Sequence, residues 1–371
     1  MTASTTFHMT RDTALQRLVE KVRSARASKT LLDIRGGNTK AFYGGHQQGE
    51  ALNVSTLTGI SSYEPSELVV TAHAGTPLAE LEAALAEQGQ CLPFEPPRFG
   101  PGGTVGGMVA AGLSGPARAA MGSVRDHVLG VTLLNGKAEL LNFGGTVMKN
   151  VAGYDVSRLL VGSMGVLGLI CQVSLKVLPQ SVATRTLRFE MDETTALEQL
   201  NHWGGQPLPV SASAWWEGTL VLRLSGAAAA VQAAKIKLGG EEIEAPLAAQ
   251  FWAGLRDQSD EFFASAKKAV QGGAALWRLS VPSVAAPLNV SGEQLIEWGG
   301  AQRWLCTAVS AATLRDAAAA VGGHATLFRS AGKSADVFAP LLPPLDRVHR
   351  ELKKAFDPDG LFNRGRLYPD L

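Results

Sequence analysis

The segment Pro101-Gly102-Gly103-Thr104-Val105-Gly106-Gly107 opens the stretch on which the reading of this chain turns. It continues through Gly112-Leu113-Ser114-Gly115-Pro116 and Met121-Gly122-Ser123-Val124-Arg125-Asp126-His127. A β-like run, Val128 to Leu134, follows and turns at Asn135-Gly136. The stretch closes with Val151-Ala152-Gly153-Tyr154-Asp155 and Gly162-Ser163-Met164-Gly165-Val166-Leu167-Gly168. Glycine has no Cβ, so its backbone approaches a ligand closely and reaches positive φ, and exposed N–H groups converge on anions. These glycines alternate with apolar residues and not with the Ser or Lys repeats of a flexible linker. Two readings stand: a tightly turned β-rich core, or a backbone cradle for a large phosphorylated cofactor.

Upstream, Thr30 to Ile34 reads as a short buried strand delivering Arg35-Gly36-Gly37-Asn38-Thr39-Lys40. A strand running into a glycine-rich turn suits the presentation of N–H groups to a pyrophosphate. An ordinary β-turn is the alternative for this loop taken alone. The two familiar nucleotide signatures fail. Gly100-Pro101-Gly102-Gly103-Thr104-Val105 has valine where GxGxxG needs its last glycine. Gly332-Lys333-Ser334 ends like a P-loop, but Leu327 stands where its first glycine belongs. A Rossmann dinucleotide site and a P-loop ATPase are both unsupported.

The order of these pieces resembles the FAD-binding (PCMH-type) domain of the vanillyl-alcohol-oxidase-like flavoproteins. Within that family it is most similar to the FAD-binding E subunits of glycolate oxidase. Arg35-Gly36-Gly37, Ala74-Gly75-Thr76, Gly102–Gly107, Ser123-Val124-Arg125-Asp126, Gly153-Tyr154-Asp155 and Gly165–Gly168 carry the resemblance in order. It extends to Phe356-Asp357-Pro358-Asp359-Gly360 and Asn363-Arg364-Gly365. Asn38 stands where the family often has a third glycine, and Asn tolerates the left-handed conformation well.

The resemblance implies an α+β fold: a PCMH-type FAD-binding domain of two α/β subdomains plus a smaller α+β cap domain. The expected limits are 1–180 for the FAD domain, 181–325 for the cap and 326–371 for a segment returning to the first domain. It implies non-covalent FAD, because His46 is the nearest candidate for attachment and nothing in its spacing singles it out. Pyrophosphate and ribityl contacts are expected from Arg35, Gly36, Gly37, Asn38, Thr39, Gly102, Gly103, Thr104, Gly106 and Gly107. Ser114, Ser123 and Asp126 offer side-chain contacts, although Asp126 and Asp155 serve equally well as turn caps. Tyr154 matches the Gly-Tyr-Asp step, Gly165, Gly168 and Ile170 would lie along the adenine or ribityl portion, and Asn363 would approach the flavin ring. The implied activity is oxidation of glycolate to glyoxylate, with flavin as hydride acceptor. A sister FAD-binding catalytic subunit and an iron–sulfur subunit are the implied partners. A stand-alone FAD oxidase or dehydrogenase of a small 2-hydroxy acid or alcohol is the alternative, and an assembly subunit stabilised by FAD is a third. No catalytic base is assigned. Asn363, Arg364, Arg329 and His324 are candidates, with His349 behind them, and Arg366 reads more readily as a solvated terminus.

Composition narrows the rest. The 371 residues are 46% hydrophobic and 18% charged with a formal net charge of +1, which fits a folded chain without nucleic-acid affinity. Cys91, Cys171 and Cys306 form no CxxC pair, so neither an iron–sulfur cluster nor a metal is expected here. The N-terminus lacks the pattern of a secretory signal, and Leu159–Val173 is too short and glycine-rich for a membrane helix. A cytoplasmic location is expected, peripheral at the inner face of the membrane through partners. Leu15, Leu18, Val19 and Val22 predict a helix from Asp12 to Ala27, and Thr76 and Pro77 predict the start of another that buries Leu78, Leu81 and Leu85. Strands are expected at Thr184–Glu190 and Gly218–Leu224, and helices at Thr194–Trp203 and Ala227–Leu238. The tryptophans and phenylalanines of this middle region are read as core or interface.

Overall fold

The computed structural model describes residues 13–146, 155–333 and 336–371. The chain begins there with a helix, Thr13–Ser28, uninterrupted by glycine or proline, whose Leu15, Leu18, Val22 and Ala25 are buried. Their spacing places them on one face of a helix of period 3.6. That face packs on Leu32 and Leu52 of the parallel strand pair Leu32–Arg35 and Glu50–Asn53. Phe362, from the far end of the chain, joins the same cluster and bridges Leu32.

The second unit is a five-stranded antiparallel sheet in the order Ile60–Glu64, Val69–His73, Leu169–Lys176, Val128–Leu134, Leu140–Gly144. Leu169–Lys176 is buried at every position but the last, as a central strand covered on both faces should be. The helices Leu78–Glu87 and Val105–Ala111 supply part of that cover through Leu78, Leu81, Leu85, Val105 and Met108. Thr76 does not cap the first of these. Its buried hydroxyl accepts from Gly59 N at 3.0 Å and donates to Gly59 O at 3.1 Å, tying two turns together instead. The helix therefore starts without a side-chain cap, Pro77 standing just before Leu78.

The third unit is an eight-stranded antiparallel sheet. Its spatial order is Glu241–Ile243, Ala183–Glu190, Thr219–Gly226, Val210–Trp216, Glu293–Glu297, Gln302–Thr307, Ala275–Ser280, His324–Arg329. Side chains alternate across it. Trp304 enters a cluster that contains Tyr43, Leu113 and Met164 of the first units, whereas its neighbour Leu305 packs with Leu314 and Ala318 of the helix Ala311–Ala320. One face carries the helix Ala311–Ala320, and the other packs on the helices Ala245–Asp257 and Glu261–Gln271 and on Tyr43, Leu113 and Met164 of the first units. The outer strand His324–Arg329 runs past residue 325, where the sequence reading ends the cap. Trp252, Phe262, Phe263, Trp277 and Trp304 are all buried. Trp298 donates to Gly115 O at 3.0 Å and so bonds the cap to the segment beneath.

The tail then returns to the first unit. Leu345–Phe356 is helical with Leu345, Val348 and Leu352 on a common face, but Leu345 and Val348 are exposed. The buried anchor is a charge. Lys353 Nζ donates to Asp357 at 2.7 Å, Val166 O at 2.8 Å and Phe362 O at 2.9 Å. Asp357 in turn accepts from the N–H groups of Leu361 and Phe362. This network fixes the Asp-Pro-Asp-Gly turn and delivers residues 361–366 to the first strand.

Candidate functional site

Two loops and the tail line a cavity that opens to solvent. Arg35–Ala41 form one wall, and Thr104, Gly106, Gly107, Ala110 and Ala111 form another. Met164, Gly165, Gly168 and Ile170 line it from the turn before the central strand, and Asn363 and Arg366 from the tail. Glycine is obligatory where the loops meet. A Cβ on Gly37 would lie 1.3 Å from the Gly102 carbonyl oxygen, and one on Gly36 would lie 2.4 Å from the Thr104 hydroxyl. Such contacts are far inside van der Waals distance. Thr104 also caps the helix Val105–Ala111, accepting from Gly107 N at 3.2 Å.

Asn363 stitches the site together. It donates to Met164 O at 2.6 Å, accepts from Ile34 N at 2.7 Å, and its own N–H reaches Leu32 O. It adopts φ 44°. Gly165 faces it with φ +77°, and a Cβ there would lie 2.5 Å from the Asn363 amide. The single side chain of Asn363 therefore joins the first strand, the Met164–Gly165 turn and the tail.

The charge of the cavity is one-sided. Arg35, Lys40 and Arg366 line it, and among the described lining residues there is no Asp or Glu. Arg35 is partly neutralised by buried Asp33 behind it, at 2.6 Å. Burial pulls the Lys40 ammonium down to about 8, against the opposing pull of Asp257. Arg366 is 6% exposed, and its guanidinium donates to Lys40 O, Ala41 O and Gly45 O. The solvated terminus expected for Arg366 is thus overturned, since its guanidinium replaces water with carbonyls of the first loop. Lys333 reinforces that loop from above, bonding Ala41 O and Gly44 O, and burial with the nearby Arg366 lowers it to about 8. Three cations around a cavity whose described lining holds no carboxylate favour an anion in their midst. Val54, Ala74, Ala110, Ala111, Met164 and Ile170 supply apolar lining beside them. A pyrophosphate with a flat, largely apolar ring system attached fits this donor set.

The residues anticipated from sequence fall into groups. Arg35, Gly36, Gly37, Asn38, Thr39, Thr104, Gly106, Gly107, Gly165, Gly168, Ile170 and Asn363 come together around the cavity. Gly102 and Gly103 lie directly behind it, against Gly37 and Thr39. Ser114 lines a different cavity and accepts from Val124 N at 3.2 Å. Ser123 and Asp126 are occupied with each other in a capping box, and the Ser123 N–H foremost holds the Asp126 carboxyl below its ordinary value. Tyr154 lies outside the described residues. Arg364 and His324 are exposed, while Arg329 stacks 3.4 Å over the Phe42 ring. Lys40 and Gln47 line the cavity without having been singled out, and Arg366 lines it where a solvated terminus was expected. Lys40 was legible as the last residue of the first loop, whereas Arg366 had no local signal.

Comparison with known proteins agrees with this geometry. Residues 13–156 match the family model of the FAD binding domain. Over 356 residues the chain is 48% identical to the glycolate oxidase subunit GlcE of Escherichia coli strain K12, covering 96% of this chain and 98% of that one. The chain belongs to this family. The mitochondrial D-lactate dehydrogenase [cytochrome] of Arabidopsis thaliana is 29% identical over 143 residues, 38% of this chain and 25% of that one. A solved structure of alkyldihydroxyacetonephosphate synthase superposes with a TM-score of 0.61 at 14% identity, covering 94% of this chain and 75% of that chain. The fold is that of the PCMH-type flavoproteins, and the cofactor is FAD. Among the described residues no cluster of His, Cys, Asp and Glu could hold a metal ion, and no helix is long and apolar enough to cross a membrane.

Proposed function

We propose that this chain is the FAD-binding subunit of a glycolate oxidase complex that converts glycolate to glyoxylate and passes electrons to an iron–sulfur partner. The observation that carries this reading is a cation-lined, glycine-walled cavity in a chain 48% identical to a glycolate oxidase subunit over almost its whole length. The reaction removes a hydride from C2 and a proton from the hydroxyl, and bound flavin supplies the hydride acceptor. Lys40, Arg35 and Arg366 would neutralise the pyrophosphate, the N–H groups of residues 36–39 would donate to it, and Asn363 fixes the first strand and the Met164–Gly165 turn beside the cavity. The described lining residues include no His or Cys, which favours non-covalent attachment. They include no His, Asp or Glu to take the hydroxyl proton either, so this reading places the proton acceptor on a sister flavoprotein subunit. Arg329, with its Nε buried and unpartnered above Phe42, is the cation assigned to hold a substrate carboxylate. A cytoplasmic location, peripheral at the membrane through partners, belongs to the same reading.

Anaerobic glycolate added to the purified, flavin-loaded chain is the test. Flavin bands that persist until the sister subunits are present are expected. Bleaching in the isolated chain would transfer the whole active site to this subunit, and bands that persist in the assembled complex would refute the function.

A further inference from the structure

The three cations that line the cofactor cavity differ in what already holds them. Arg35 is tied to Asp33, and Arg366 gives its guanidinium to the carbonyls of Lys40, Ala41 and Gly45. Lys40 has neither kind of partner. Among the described residues its ammonium makes no hydrogen bond and no ion pair, and it lies over the Phe99 ring, 5.7 Å from the centroid. Asp257, at the end of the helix Ala245–Asp257, attracts it from outside the lining. That carboxylate is already taken by Arg256 at 3.0 and 2.7 Å and by the Arg98 N–H at 3.1 Å. From the cap, Arg329 lies 5.7 Å from the same Phe99 ring, and Lys333 bonds Ala41 O and Gly44 O without lining the cavity. A guanidinium keeps its charge across the accessible pH range, whereas an ammonium withdrawn from water gives up its proton more readily. The positive charge of the cavity therefore has a fixed part, Arg35 and Arg366, and a part on Lys40 that varies with pH.

We propose that FAD binding is coupled to protonation of Lys40: as the pyrophosphate arrives, a neutral Lys40 takes a proton from solvent onto Nζ, and the resulting ammonium donates to the phosphate oxygens. This rests on the cavity being the FAD site and is independent of the substrate. Burial draws the ammonium of the empty site down to about 8. A pyrophosphate beside it favours the charged form and lifts that value. Below the empty-site value Lys40 is charged before and after binding, so no proton moves. Above it the empty site is mostly neutral, and each FAD brings a proton with it. Affinity then falls as pH rises through the empty-site value and levels off only at the higher value of the loaded site. Cofactor is held most tightly near and below neutrality, and alkaline pH loosens it.

The dissociation constant of FAD, read from flavin fluorescence on serial dilution of the full, flavin-loaded chain, tests the coupling. A rise of about tenfold from about pH 7 to about pH 9 is expected. Lys40→Arg stays charged and should hold FAD equally well at both. Lys40→Met should bind it about tenfold more weakly than the natural chain at neutrality, with no further change at alkaline pH. Lys333→Met should keep the natural pH dependence. Calorimetric titration of the flavin-stripped full chain with FAD, in Tris and in Bicine, counts protons directly. Uptake of about one proton per FAD near pH 9 and of almost none near pH 7 is expected. A constant that is flat with pH, or a rise that survives Lys40→Arg, overturns the proposal, as does a rise abolished by Lys333→Met. If neither Lys40 variant folds, the proton count decides, and no uptake at alkaline pH overturns it. A chain that takes no FAD at either pH overturns the cofactor site itself, whereas FAD bound with a flat constant overturns the coupling alone.

Discussion

Two cavities of this molecule, one between the first loops and the tail and one under the cap, are built by opposite means. The cofactor cavity is made of backbone: Gly36 and Gly37 fit against Thr104 and Gly102 so closely that no Cβ has room, and its cations stand on the loops and tail around that seam. The cavity under the cap is made of side chains, with Arg278, Gln258 and Glu297 projecting from strands and helix ends between aromatic rings. Backbone construction tolerates almost no substitution at its contact points, whereas side-chain construction stores its chemistry in unpaired or reprotonated groups. Substitutions in each region should therefore fail in different ways.

Gly37→Ala should act most strongly. A Cβ 1.3 Å from the Gly102 oxygen forces the two loops apart, and the variant is expected to purify without flavin. A Gly37→Ala protein that retained its visible spectrum would show that the loops are not held as described. Lys353→Met comes next, because it leaves Asp357 buried without its cation. A loss of about 3–5 kcal/mol in denaturant unfolding is expected, and a loss below about 1 kcal/mol would assign the tail's attachment to Phe362 packing instead.

Glu297→Gln tests the cap by pH. Burial raises the folded Glu297 carboxyl from 4.5 to about 7, so between those values the folded chain keeps a proton that the unfolded chain releases. Its contribution is fully present below the unfolded value and is lost as pH rises through the folded one, by about 3 kcal/mol across the window. The Gln variant should remove that portion of the slope, and an identical slope in both proteins would contradict it. Thr104→Ala is the mildest change. Removing the cap on Gly107 N should lower the stability of the cofactor-free chain by about 1 kcal/mol, read as a drop in Tm, and no drop would mean the helix start is held by its turn alone.

The same contrast explains what was legible in the sequence. Gly36, Gly37, Gly106 and Gly107 stand out because a backbone approach leaves a local signature, and the strands around them are short apolar runs with turn residues at their ends. The helix Thr13–Ser28 followed from its own spacing. Arg366 could not be read this way: its burial depends on carbonyls of residues 40–45, more than three hundred positions away. Ser123 and Asp126 carried the right chemistry for a ligand but lie close enough in sequence to satisfy each other. Thr76 likewise had the right type and position for a cap, and a distant turn at Gly59 claimed its hydroxyl. Arg278 and Gln258 have no sequence signal, since a strand of the cap and the end of the helix Ala245–Asp257 meet only in the folded chain. Residues whose partners are local were read correctly more often than those whose partners arrive by topology.

The central claim is that the chain holds FAD, without a covalent bond, in the cavity between residues 35–41, 104–111 and the tail. The visible absorption spectrum of the purified chain, taken before and after acid precipitation, tests it most directly. Flavin bands on the native protein that pass into the supernatant as free FAD are predicted. A colourless chain that cannot be reconstituted with FAD would contradict the account, and flavin retained on the precipitate would contradict the non-covalent site.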